Sequence, residues 1–150
     1  MVPKELIYYL QEHGTKYIPS RRLTDIPSGK VGDCFDHCLI SVLTRSHLKY
    51  VEGIAINPLD RTEWILHAWL SDGLYAYDPT WLAKDKEGKE IPVPTLYIGI
   101  PFETRAVAKF VSETEYKSIM ANGWRCRMLA DEMLPARFPH DVMRKLNESH

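Results

Sequence analysis

Long hydrophobic runs are missing from this chain: no apolar stretch approaches the ~18 residues that a membrane-crossing helix needs. Charge of one sign is missing as well. Lys plus Arg is 19 against Asp plus Glu at 20, a net charge of -1. That balance gives no electrostatic reason to expect nucleic acid as a partner. Cysteine is scarce, three in 150 residues, and an odd number cannot all pair within one chain. The opening MVPKELIYYLQEHG mixes acids and polar residues among its apolar ones, so it lacks a signal-peptide pattern. Free thiols in a reducing, cytoplasmic setting are therefore the expectation. Internal repeats and low-complexity segments are absent. Nothing in the sequence calls for a cofactor or a resident metal.

What remains is ordinary globular material, 45% hydrophobic and 26% charged. At ~150 residues per domain this length is one domain's worth, 1–150, large enough to fold without a staple. Leu6, Ile7, Leu10 and Tyr9 recur at helical spacing between Pro3 and Gly14, which predicts a helix over 3–13. Residues 19–32 are rich in Pro, Gly, Ser and charge and read as a long surface loop. A second helix is expected from Asp33, a good N-cap, with Phe35, Cys38, Leu39, Val42 and Leu43 on one side. Strands are expected over 50–56, 63–70, 74–77, 95–100 and 106–111, with a solvated turn over 84–90. A short helix opened by a capping box at Ser112–Glu115 should end at Asn122-Gly123. A last helix is expected near 139–147, with Cys126 on a strand or loop. The sum is an α+β layout, helices at both ends around an antiparallel β-sheet.

Chemistry concentrates at three places in that layout. Cys34 falls in the first turn of the second helix, where free N–H groups and a partial positive charge favour a reactive thiolate. The same N–H groups, with a donor from the loop before them, suit the oxyanion of a tetrahedral intermediate. His67 lies within EWILHAWL, and Asp78 ends LYAYD. Asp72-Gly73 between those strands is a strong signal for a two-residue type I′ turn. Centring the turn on that dipeptide puts His67 directly opposite Asp78 on one face, with Cβ atoms ~5 Å apart. A carboxylate there would take one imidazole N–H and leave the other nitrogen as a base.

Gly32-Asp33-Cys34 opening a helix, His67-Ala68-Trp69, and Tyr77-Asp78-Pro79-Thr80-Trp81 together resemble the core of the transglutaminase-like superfamily. The match covers about residues 31–81. The resemblance implies a papain-like fold, with the cysteine starting a helix and the histidine and aspartate on adjacent antiparallel strands. It implies Cys34 as nucleophile, His67 as general base and then acid, and Asp78 as the residue orienting His67. Asp33, His37, Trp69 and Trp81, beside these three in sequence, are the candidates for lining the substrate site. The chain has nothing like the calcium sites or extra β-domains of the animal crosslinking enzymes. The implied activity is that of the small microbial members, thiol-based hydrolysis, deamidation or acyl transfer on a protein, peptide or other amide.

Three rival readings use the same residues. Cys34, His37, Cys38 and His67 could hold zinc, although Cys34 and Cys38 at i and i+4 on a helix are not a zinc-knuckle spacing. His37, one turn from Cys34, could be the base in place of His67. Trp64, Trp69, Tyr75, Tyr77 and Trp81 could make a catalytically idle binding face.

Overall fold

The computed structural model describes residues 2–20, 33–81, 87, 89 and 92–148. Pro3 caps α1 (Lys4–His13), which buries Leu6, Tyr9 and Leu10, and Gly14 ends it with its N–H on the Leu10 carbonyl. The chain passes directly into β1 (Thr15–Pro19). The proposed surface loop lies outside the described residues from 21 to 32, as does most of the turn expected over 84–90. Then come α2 (Cys34–Leu43), β2 (Lys49–Ile56), β3 (Trp64–Ser71), β4 (Tyr75–Tyr77) and β5 (Tyr97–Phe102). The C-terminal part is helical: α3 (Thr104–Thr114), α4 (Ile119–Asn122), a 3-10 turn at Gly123–Arg125, α5 (Arg127–Met133) and α6 (His140–Glu148). Among the described residues no helix is long and apolar enough to cross a membrane.

The fold is mixed α+β, as expected, but its sheet is not antiparallel throughout. Five strands close into a barrel in the order β1-β4-β3-β2-β5, with β1 parallel to β4 and the other pairs antiparallel. Strand alternation then divides the core in two. Tyr17, Val51, Ala55, Trp69, Ala76 and Tyr97 pack together on one face of the strands, the inside of the barrel. Tyr50, Ile54, Ala68, Leu70, Ile98 and Phe102 on the other face pack against the helices. Closure of so small a barrel needs glycine at the crossing of β2 and β5. Gly53 pairs with Gly99, and a Cβ on Gly53 would run into the Ile98 carbonyl oxygen.

Residues 106–111 are helix rather than strand. Val107 and Phe110 are buried and Val111 is packed against them, the i, i+3, i+4 spacing of α3. Glu115, read as part of a capping box, is instead the left-handed residue that ends α3, at φ 63°. Ser118 caps a separate one-turn helix, α4, by accepting from the Ala121 N–H, so the single helix expected from the capping box to Asn122-Gly123 is not formed. Cys126 occupies the N-cap position of α5.

Candidate active site

Cys34 is the first residue of α2 and Cys38 follows one turn later; both are buried. Asp33 occupies the N-cap position, exposed, without a side-chain cap bond. α2 packs against β3. β4 bonds to β3 only through Leu70 with Tyr77 and Ser71 with Ala76. Among the described residues the stretch of β3 around His67 is thus paired to β2 alone.

His67 Nε2 lies 2.7 Å from Asp78 Oδ2, with both side chains 4% exposed. The contact expected from the hairpin is present, but the register behind it differs. The turn does not centre on Asp72-Gly73. Gly73 alone takes a positive φ, 107°, where type I′ asks it of both central residues. Asp72 Oδ1 instead accepts from the Leu74 and Tyr75 N–H groups at 3.0 and 2.9 Å, and Ser71 Oγ accepts from Gly73 at 2.9 Å. These bonds move the pairing two residues along, so that Asp78 extends the strand opposite Trp69 rather than His67. A shift of two keeps every side chain on its face. His67 and Asp78 are diagonal neighbours within reach of a hydrogen bond.

Asp78 is saturated with donors. Besides His67, its Oδ2 accepts from Tyr97 Oη at 2.8 Å. Its Oδ1 accepts from Thr80 Oγ1 at 2.9 Å, Thr80 N at 3.1 Å and Trp81 N at 3.3 Å. Burial alone would raise this carboxyl, but the charge on His67 and the bonds from His67, Tyr97 and Thr80 hold it below 3.8. For His67 burial works downward. The Asp78 carboxylate, by charge and hydrogen bond, and then a hydrogen bond to Cys34 outweigh it and raise the ring to about 10. With Nε2 on Asp78, Nδ1 is the nitrogen left for the thiol. Cys38, buried beside them, is pushed far above 9 by burial and by the nearby Asp78 and Cys34, so it stays a neutral thiol.

The other sequence candidates divide. Trp69 is fully buried inside the barrel, its ring 4.9 Å from that of Tyr97 and 6.2 Å from that of His67. It backs the imidazole instead of offering a face to substrate. Trp81 is half-buried beside Asp78, its indole Nε1 enclosed without a hydrogen-bond partner among the described residues. His37 is half-buried on α2, next to an Asp36–Lys117 ion pair of 2.7 Å. A carboxylate orients the His67 imidazole. Among the described residues no three His, Cys, Asp or Glu side chains are gathered to hold a metal ion. Of the aromatic face, Trp64 and Tyr77 pack on the core, while Tyr75 is exposed.

Tyr97 and Thr80 were not foreseen. Thr80 carries a local signal, since Asp followed by bonds from the N–H groups two and three residues on is an Asx turn. Tyr97 carries none: its strand is legible, its partner across the barrel is not. Comparison with protein-family models, with curated proteins and with solved structures finds no match to this chain.

Proposed function

We propose that this protein is a cysteine-nucleophile enzyme of papain-like, transglutaminase-like type that acts on amide bonds through Cys34, His67 and Asp78. One observation carries the reading: a buried imidazole held between a carboxylate at 2.7 Å and a thiol at a helix start. Cys34 and His67 react as a unit. With the proton on the ring, the sulfur carries the negative charge that attacks the amide carbonyl carbon. The N–H of Cys34 at the head of α2 faces the developing oxyanion. The tetrahedral intermediate collapses to a thioester as imidazolium His67 protonates the leaving amine. Neutral His67 then takes a proton from water, which releases the acid, or from a second amine, which gives acyl transfer.

Alkylation with iodoacetamide near neutral pH tests this, read by mass spectrometry of the intact protein and its peptides. The expected result is one adduct, on Cys34, formed at least about tenfold more slowly in His67→Ala. Cys38 and Cys126 should stay unmodified on that timescale. A folded protein whose Cys34 reacts no faster than Cys126 overturns the reading. So does a Cys34→Ala protein that keeps more than a small fraction of any amide turnover found.

A further inference from the structure

Tyr97 stands apart from the three residues above because it comes from the opposite side of the barrel. It lies on β5, which pairs with β1 and β2 and not with β3 or β4. Its ring packs edge-on against Trp69 at 4.9 Å and tilts over His67 at 6.4 Å. Its hydroxyl ends on Asp78 Oδ2, the same oxygen that His67 Nε2 contacts. The Thr80 and Trp81 donors all go to Oδ1. Tyr97 is thus the one described side chain that competes with His67 for a carboxylate oxygen.

We propose that Tyr97 is a positioning residue whose hydroxyl draws off part of the charge on Asp78 Oδ2 and so sets the pH at which His67 gives up its ring proton. An oxygen that feeds one donor holds an imidazolium more firmly than an oxygen that feeds two. An acid that must protonate a leaving amine cannot be held too firmly. Burial and the neighbouring Asp78 push the Tyr97 phenol far above 10, so it stays a donor. The titratable groups facing the pair are Cys34 and Cys38 from α2 and Tyr97 from β5, while Glu52 of β2 acts on Cys38 and Tyr50. The bearing on turnover rests on the amide-bond reading; the effect on the ring does not.

The test follows the ring nitrogens of His67 by NMR in 15N-histidine-labelled protein, assigned by comparison with His67→Gln. Tyr97→Phe should raise the His67 midpoint by about one pH unit, the effect of one charge-assisted hydrogen bond shared between two acceptor duties. Protein made with 3-fluorotyrosine keeps the bond but strengthens the donor, and should lower the midpoint. This second arm decides the matter if Tyr97→Phe does not fold. A midpoint unmoved in the folded variant or in the fluorinated protein overturns the proposal. With a substrate in hand, Tyr97→Phe should lower kcat about tenfold at unchanged KM. A shifted ring with unaltered turnover would remove the bearing on turnover and leave the effect of Tyr97 on the ring in place.

Discussion

Asp78 is acceptor-only, and five donors converge on its two oxygens, which makes its isosteric replacement informative. An asparagine at 78 has two orientations. With its carbonyl toward His67 and Tyr97, its NH2 faces the Thr80 and Trp81 N–H groups, donor against donor. With its NH2 toward His67, Nε2 must become an acceptor, and the remaining ring proton moves to Nδ1, the nitrogen that should serve Cys34. Each orientation spoils a different part of the site. Asp78→Asn should therefore lower kcat by roughly three to four orders of magnitude with little change in KM, measured by steady-state kinetics. The His67 ring, with burial no longer opposed by a carboxylate, should titrate at or below 6.5 instead of about 10. A variant that kept the high midpoint would show that Cys34, not Asp78, supplies the shift. Cys34 itself is 5% exposed and packed in the larger core. Its truncation to Ala thus costs more than a helix-start position suggests, about 1 kcal/mol.

At the scale of elements, one buried acid joins the barrel to the C-terminal helices. Glu52, fully buried on β2, accepts from Tyr50 Oη at 2.8 Å and Ile119 N at 2.9 Å on one oxygen. Its other oxygen takes Ser118 Oγ at 2.8 Å and Met120 N at 3.0 Å. Burial raises this carboxyl above 4.5, against the lowering effect of those four bonds. Glu52→Gln turns one oxygen into an NH2 that meets two donors whichever way it points. It should cost about 2–4 kcal/mol, seen as a lower urea midpoint. Loss of hydrogen-exchange protection at Ile119 and Met120 would localise the damage. Such a carboxylate is invisible in the sequence, where Glu52 sits in YVEGIAI as the polar member of an alternating strand. The same limit explains the other misses. β1 is five residues long, ends in a proline and is held only by strands 56 and more residues away in sequence. α3 reads AVAKFV, which fits period 2 as well as period 3.6, and the helices around it decide between them. By contrast α1, α2, α6 and the β3–β4 hairpin announce themselves by caps, spacing or turn chemistry. Cys34, His67 and Asp78 were legible because a helix start and one hairpin suffice to bring them together. Tyr97 and Glu52 were not, because only the closed barrel gives them partners.

Across the whole molecule, the buried charges divide the pH scale. A carboxyl held below its ordinary value stabilises the fold above that value and loses this as pH falls. Asp78 therefore weakens the fold only below 3.8, as acid protonates it. His140 is lowered from 6.5, chiefly by burial, so its contribution is present above 6.5 and lost on acidification. His67 is the reverse case. Its ring is raised from 6.5 to about 10, so its contribution is complete below 6.5 and drains away as pH climbs toward 10. The buried Cys38 thiol, raised from 9.0, and the buried Tyr50 and Tyr97 phenols, raised from 10.0, begin to weigh only above those values. Among the buried groups named here, the window from 6.5 to 9 belongs to His67, raised by Asp78 against burial, with Glu52 as the one other whose rise from 4.5 points that way. Unfolding free energies from urea titrations across that window should fall steadily for the wild type, by on the order of a few kcal/mol in all. His67→Gln, less stable throughout because Asp78 loses its counter-charge, should show a nearly level profile. Glu52 is present in both proteins, so the difference between the two slopes isolates the imidazole. Parallel slopes would mean that folding binds no net proton at the coupled Cys34–His67 pair.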